Sequence, residues 1–311
     1  MSTSGSTNFS ITRNDIINQS LKIAGILAVG QVASAEDFSD ASLRLNLMTK
    51  AWMGQGIHLW RYTEAVLFLS ADTQSYSLNS SSGDHATTAH IETALDGDHA
   101  GGVTALTVDS TTGMTTGDYL GIELADGTRQ WTTLTVVSGT ALTAGAALTS
   151  AASDNAVIYT YTTRAPRPLR IRNARLQQHD SSEIPLDLLS RQEYFDQPSK
   201  DSSGRVTSLY YDPQLATSKV KVWPTSDNVN DFIRYTFERT IEDFDSATDN
   251  PDFPIEWGEA IIYGLASRLS EYSCPAERRA EIRGQAEMSL SRAMSFDQED
   301  TSVFFKPSRN R

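Results

Sequence analysis

The chain has one cysteine, Cys274, in 311 residues, so no internal disulfide can form. Its folding needs no oxidising compartment. It is also short of positive charge: 26 Lys and Arg stand against 39 Asp and Glu, a formal net charge of -13. Such a surface repels nucleic-acid phosphates rather than gripping them, although it could line a passage through which nucleic acid slides. No apolar run approaches the length of a membrane span. Met1 to Asn8 is rich in Ser and Thr and lacks the basic-then-apolar order of a signal peptide. There is no glycine-rich phosphate loop, no GxSxG elbow, no HExxH pair and no long-period repeat. No catalytic residue, metal ligand or cofactor is therefore assigned. What remains is globular: 39% of residues are hydrophobic, and the length suits one large domain or a few smaller ones.

The two ends read as helical. Thr12 with Asp15, then Ser34 with Asp37, resemble N-terminal capping boxes. Ile16, Ile17, Leu21, Ala24 and Leu27 recur at helical spacing, as do Phe38, Ala41, Leu45, Met48 and Trp52. Gly30, and then Gly54 with Gly56, mark the stops. Pro254 suits the start of a helix with Trp257, Ile261, Leu265, Leu269 and Tyr272 on one face. Pro275 opens a last helix to Phe296, with Ala280, Ala286, Met288 and Ala293 expected inward.

The middle reads as β. Glu64–Leu69, Ser75–Leu78, Val206–Tyr211, Lys219–Trp223 and Phe232–Arg239 alternate as strands. Ser190 with Glu193 caps a short helix. Asn79–Gly102 reads as a loop. Asp98–Thr163 then changes character, rich in Thr, Gly, Ala and Val, with a hairpin signal at Asp126-Gly127. It reads as an autonomous inserted sheet. The expectation is an α+β fold: a four-helix bundle formed from both chain ends, a central antiparallel β region, and a small inserted all-β domain. Its parts are 1–97 (helical hairpin and first strands), 98–163 (insert), 164–253 (β region with a short helix), 254–296 (helices completing the bundle) and 297–311 (extended docking tail).

Several groups invite chemistry. His85, His90 and His99 share a stretch with Asp84, Asp96 and Asp98, but their spacing fits no closed metal site and reads as a solvated loop. Glu242, Asp243, Asp245, Asp249 and Asp252 read as an acidic surface loop or partner contact, since a catalytic carboxylate pair needs burial and rigidity. Cys274, with no histidine nearby in sequence, reads as a small packing residue. Arg164, Arg167, Arg170, Arg172 and Arg175 lack interleaved aromatics, a weak nucleic-acid signature. They read as contacts between subunits, against acidic positions such as Glu242, Asp243 and Asp245. In the tail, Val303, Phe304, Phe305 and Lys306 place two adjacent aromatics beside a cation, a pattern suited to a pocket on a partner.

Three passages resemble the head-to-tail adaptor proteins of short-tailed bacteriophages: FSITRNDIINQSLKIAGILAVGQVASAEDFSDASLRLNLMTKAWMGQGIHLWRYTEAVLFL; IPLDLLSRQEYFDQPSK with YYDPQ and VKVWPTSDN; and IEDFDSATDNPDFPIEWGEAIIYGLASRLSEYS with FDQEDTSVFFKP. The resemblance covers nearly all of residues 9–97 and 164–307. It implies a structural virion protein of the neck or tail, assembled in the host cytoplasm. Copies of the chain would form a ring, usually of twelve, beneath the portal protein. The ring extends the DNA channel, helps retain packaged DNA and carries the tail nozzle protein. DNA passes without sequence-specific binding, no membrane is involved, and the C-terminal tail reaches the portal. Two other readings stay open: a virion peptidoglycan hydrolase acting through Asp243 and Asp245, and a carbohydrate-binding adhesin using Trp131 and Tyr119 of the insert.

Overall fold

The structure, a computed structural model, describes residues 3–28, 30–54, 59–178 and 182–297. Gly56, the Tyr272 side chain and the tail residues Val303, Phe304, Phe305 and Lys306 lie outside the described residues. The chain divides into two compact units, Met1–Arg61 with Thr240–Arg311, and Tyr62–Arg239.

The first unit is helical. Its first two helices are α1 (Arg13–Ile23) and α2 (Ala35–Trp52). Thr12 caps α1 through a reciprocal box with Asp15, and the Ser34 side chain accepts the Asp37 N–H at the start of α2. The segment from Thr240 to Trp257 is no loose loop. The buried Phe244 joins the helical core, and its backbone exchanges hydrogen bonds with the Asn46 amide (2.9 and 3.3 Å). Lys50 pairs with Asp243 at 2.6 Å, and Arg13 N–H donates to the Asp249 carbonyl at 2.8 Å. The segment is a strap fastened across both helices.

The four-helix bundle is corrected. Two C-terminal helices follow the strap; numbered in chain order after the short α3 (Arg191–Phe195) of the other unit, they are α4 (Gly258–Ser273) and α5 (Ala276–Phe296). Helix α4 lies against α1, α2 and α5, whereas α1 and α2 barely touch. Helix α5 buries only Ile282, Ser289 and Ala293; Ala280 and Met288, expected inward, are exposed. With charges spread round its circumference, α5 has no broad apolar stripe to insert as a fourth member. The helices gather around α4, and among the described residues most of the buried apolar side chains belong to sheets.

The second unit holds three sheets. Its elements in chain order are β1 (Tyr62–Phe68), β2 (Ser75–Leu78), β3 (Ala86–Thr87), β4 (Ile91–Ala94), β5 (Ala105–Thr107), β6 (Tyr119–Glu123), β7 (Arg129–Ser138), β8 (Ala141–Ala144), β9 (Val157–Tyr161), β10 (Arg170–Gln177), β11 (Glu183–Pro185), β12 (Asp187–Leu189), α3 (Arg191–Phe195), β13 (Ser208–Asp212), β14 (Ser218–Trp223) and β15 (Phe232–Glu238). A five-stranded sheet runs β11-β10-β15-β1-β3, and a four-stranded sheet runs β12-β13-β14-β2. They share one core that includes Leu67, Leu78, Leu176, Val220, Val222, Ile233 and Phe237. The six-stranded inserted sheet runs β4-β9-β6-β7-β8-β5 and so takes in Ile91–Ala94 from before Asp98. It has its own core around Leu106, Leu120, Ile122, Leu134 and Ile158.

Strand β1 explains how the sheets join. Ala65 and Leu67 point into the shared core, and Val66 and Phe68 point the other way. There they meet Phe232 of β15 and Val157, Tyr159 and Tyr161 of β9. A strand covered on both faces needs an unbroken apolar run, as Ala65–Leu69 provides. The insert, expected to be autonomous, is welded to the main sheet by aromatic rings.

Candidate functional site

The densest convergence of polar and aromatic groups sits at this weld. Strand β6 supplies Tyr119, β7 supplies Trp131, and β9 supplies Tyr161. His85 arrives from the turn before β3, and Arg164 from the segment after β9. The His85 ring lies flat on the Trp131 indole, 3.8 Å between centroids and 5° between planes. Its Nδ1 lies 2.6 Å from the Tyr161 hydroxyl. Tyr119 stacks on Tyr161 at 4.9 Å and carries the Arg164 guanidinium 4.3 Å from its centroid. Arg164 also donates to the Tyr119 hydroxyl at 3.2 Å. Beside these rings opens a cleft of about 330 Å³, whose wall includes Thr132, Thr133 and the Gly145-Ala146 backbone.

Gly121 makes the arrangement possible. It pairs across the ladder with Trp131, and a Cβ there would stand 2.6 Å from the indole. Only glycine leaves room for the ring to lie on the strand. Trp131 and Tyr119, named for glycan binding, are thus brought together, but each is already stacked on another side chain. A sugar-binding platform needs an open ring face, so the arrangement favours a structural role over an adhesin.

Burial holds His85 neutral: desolvation, helped by the Arg164 charge, lowers its pKa to about 3 from 6.5. His90, edge-on to Phe68 at 5.5 Å, is lowered in the same way, with Arg234 as the contributing charge. The unfolded histidine takes up a proton near pH 6.5 and the folded one near 3. Unfolding between these values therefore binds a proton, so the contribution is complete above about 6.5 and is lost as pH falls towards 3. His85→Gln should show a shallower loss of stability between pH 7 and pH 5 than the parent, read from urea midpoints. Equal losses would remove His85 as a cause.

The other histidine and its carboxylate neighbours are also structural. His99 Nδ1–H donates to the Gly97 carbonyl (2.9 Å), while Nε2 accepts the Thr107 N–H (3.0 Å). Asp98 accepts the Asp154 N–H at 2.8 Å, and Asp84 accepts the Ser77 N–H at 2.6 Å. No group of three metal-ligating side chains forms among the described residues. The expected solvated loop is instead strands β3 and β4 with two half-buried histidines in an aromatic cluster.

The arginines lie in the β unit, and Glu242, Asp243 and Asp245 in the helical one. Arg172 pairs with Glu238. Arg175 pairs with Glu64 on one side and Glu183 on the other (3.3 Å). Arg234, directly opposite Arg175, shares both carboxylates at 4.0 and 3.7 Å, so two adjacent arginines on the inner strands are held between carboxylates on the strands either side. Arg167 donates to the Gln214 carbonyl at 3.4 Å. Arg170 is exposed and makes no ion pair among the described residues. In the strap, Glu242 and Asp245 are exposed, and Asp243 is held by Lys50. Cys274, half-buried, has its thiol 2.9 Å from the Ala24 carbonyl. The cluster around Phe68 is not read from the sequence; its signal is the unbroken apolar stretch Ala65–Leu69 and the aromatic-rich Val157–Tyr161, broken only by Thr160.

No family model matches the chain, and no curated protein is similar to it. Solved structures with a likeness to it include the Gp54 tailspike of Acinetobacter baumannii bacteriophage AP22 in complex with A. baumannii capsular saccharide. That match has 20% identity and a TM-score of 0.21, and covers 23% of this chain but only 14% of the tailspike chain. VP17, a capsid protein of bacteriophage P23-77, matches at 10% identity over 60% of this chain and 72% of that one, with a TM-score of 0.12. Both likenesses are to bacteriophage proteins, at TM-scores far below those of a shared fold. No helix among the described residues is long and apolar enough to cross a membrane.

Proposed function

We propose that the chain is a structural subunit of a short-tailed bacteriophage particle, forming a head-to-tail adaptor ring below the portal protein. Twelve copies extend the DNA channel, help to retain packaged DNA and seat the tail nozzle. The sequence resemblance over residues 9–97 and 164–307 motivates the reading. The structural observation that carries it is an exposed apolar stripe on α2. Leu43 and Leu47, one turn apart, are 60% and 61% exposed, on the same face as Glu36 and Asp40. A pair of large apolar side chains standing in water at the middle of a well-capped helix suits a contact with another copy. A ring needs such a patch to meet a different surface on its neighbour. Arg164, Arg167, Arg172 and Arg175 already have side-chain partners among the described residues, so the apolar stripe takes the larger part in the neighbour contact.

Leu43→Asp with Leu47→Asp should leave the subunit folded and weaken each neighbour contact by roughly tenfold or more, the scale of interface hot spots. Sedimentation of the chain mixed with its portal protein reads this directly. Rings of unchanged size and stability in the double variant would overturn the assignment of the stripe. A failure of the parent chain to associate with the portal would overturn the adaptor reading itself.

A further inference from the structure

The helical unit contains an apolar pocket of about 170 Å³ between the N-terminal arm and the start of α4. Phe9, Ile11, Pro251, Phe253, Ile255 and Ile261 supply most of its wall. Ile11 closes one side against Gly258, where an added Cβ would meet its Cδ1 at 3.1 Å. Phe9 and Ile255 stand at the rim, 74% and 47% exposed. A cavity of about 150 Å³ suffices to take up benzene in a well-studied case, so this pocket matches one phenyl ring.

The end of α5 lies close by. The Asp297 carboxylate accepts the Leu59 N–H at 3.1 Å. The next residue, Trp60, sits with its ring 5.1 Å from that of Phe253, which lines the pocket. Fourteen residues follow Asp297 in the chain, and Phe304-Phe305 lie within reach. The seven residues from Asp297 to Phe304 span up to about 23 Å when extended. The charges are complementary too. Lys306, Arg309 and Arg311 follow the aromatic pair. Glu256 and Glu259, on either side of Gly258, are exposed and make no ion pair among the described residues.

We propose that this pocket is the resting seat of the chain's own C-terminal aromatic pair, one ring of Phe304-Phe305 filling it in the free subunit. The inference deepens the reading of the tail as a docking element and rests on it. A tail tied to its own body is withheld from partners until a stronger site competes for it. The intramolecular tether gives the ring a high effective concentration at the pocket, so a modest contact is enough to hold it.

The test uses the full chain with the photoreactive 4-benzoylphenylalanine in place of Phe304. Irradiation of the free subunit should link position 304 to peptides covering residues 9–11 or 250–261 within one molecule. Ile255→Glu, at an exposed rim position, should keep the far-ultraviolet dichroism and lower the yield of that link roughly tenfold, as expected for loss of an anchoring contact. Links between two copies would overturn the proposal in favour of a neighbour's tail. Links elsewhere, or a yield indifferent to Ile255→Glu, would overturn it outright. Attachment of the unmodified chain to the portal, followed separately, shows whether the adaptor reading survives when the pocket assignment does not.

Discussion

Phe68→Ala is expected to destabilise the β unit by about 3–5 kcal/mol, the range for removing a large buried aromatic. Phe68 is 2% exposed at the end of β1. Its ring meets those of Trp131 (5.2 Å), Tyr159 (4.8 Å), Tyr161 (6.1 Å), Phe232 (6.1 Å) and His90 (5.5 Å). Three of these belong to the inserted sheet, so truncation leaves a cavity between two sheets whose backbones are each held by their own ladders. Neither can collapse into the space without breaking register, which puts the cost at the upper end. Urea unfolding followed by the fluorescence of Trp131 and its neighbours measures the loss. A cost below about 1 kcal/mol would show that the insert is tethered rather than welded. The same weld implies that replacing residues 98–163 with a linker strips cover from Phe68 and Phe232.

The second large effect is expected at Trp257→Ala, also about 3–5 kcal/mol, in the helical unit. Trp257 is 2% exposed and sits where the strap turns into α4. Trp52 of α2 lies 6.0 Å from it and Phe253 5.7 Å. The indole therefore ties α2 to the strap, two segments that are distant in sequence. Ile255→Ala, two residues away but half-exposed, should change stability by no more than about 0.5 kcal/mol. Hydrogen exchange of α2 and α4 amides reports the difference. Comparable effects from the two variants would show that the strap, not the indole, holds these helices together.

What could be read in the sequence is what is decided locally. The caps at Thr12, Ser34 and Ser190 are formed by residues three apart, and each is present. The hairpin at Asp126-Gly127 joins β6 to β7, with Gly127 at φ 79°. The faces of α1 and α2 were legible because their apolar residues fall on a narrow stripe: Ile16, Ile17 and Leu21, then Ala41, Leu45 and Met48, are all buried. Helix α5 offered no such stripe, and its inward face was misjudged at Ala280 and Met288 but not at Ala293 or the half-buried Ala286. The bundle failed with it, because nothing local states that the strap occupies part of the surface around α1 and α2. The histidines misled for a related reason. His85 and His90 look solvated among Ser, Gly and Asp, and the rings that bury them come from β6, β7 and β9, far on in the chain. The arginine run was seen as a charge feature, but its partners Glu64 and Glu238 come from strands far away in sequence.

The division of the chain has a consequence for the order of events at the ribosome. Helices α1 and α2 are made before the β unit, but the strap and α4 that cover them belong to residues from Thr240 onward. The whole β unit emerges in between, with every strand partner it needs already synthesised once β15 appears. Domains tend to fold as their last required residue becomes available. The β unit therefore matures while the first two helices wait with Ile16, Leu45 and Met48 uncovered. Helices made before the β unit are thus buried only after it, and a chain that stalls before Gly258 presents an open apolar face to chaperones and proteases.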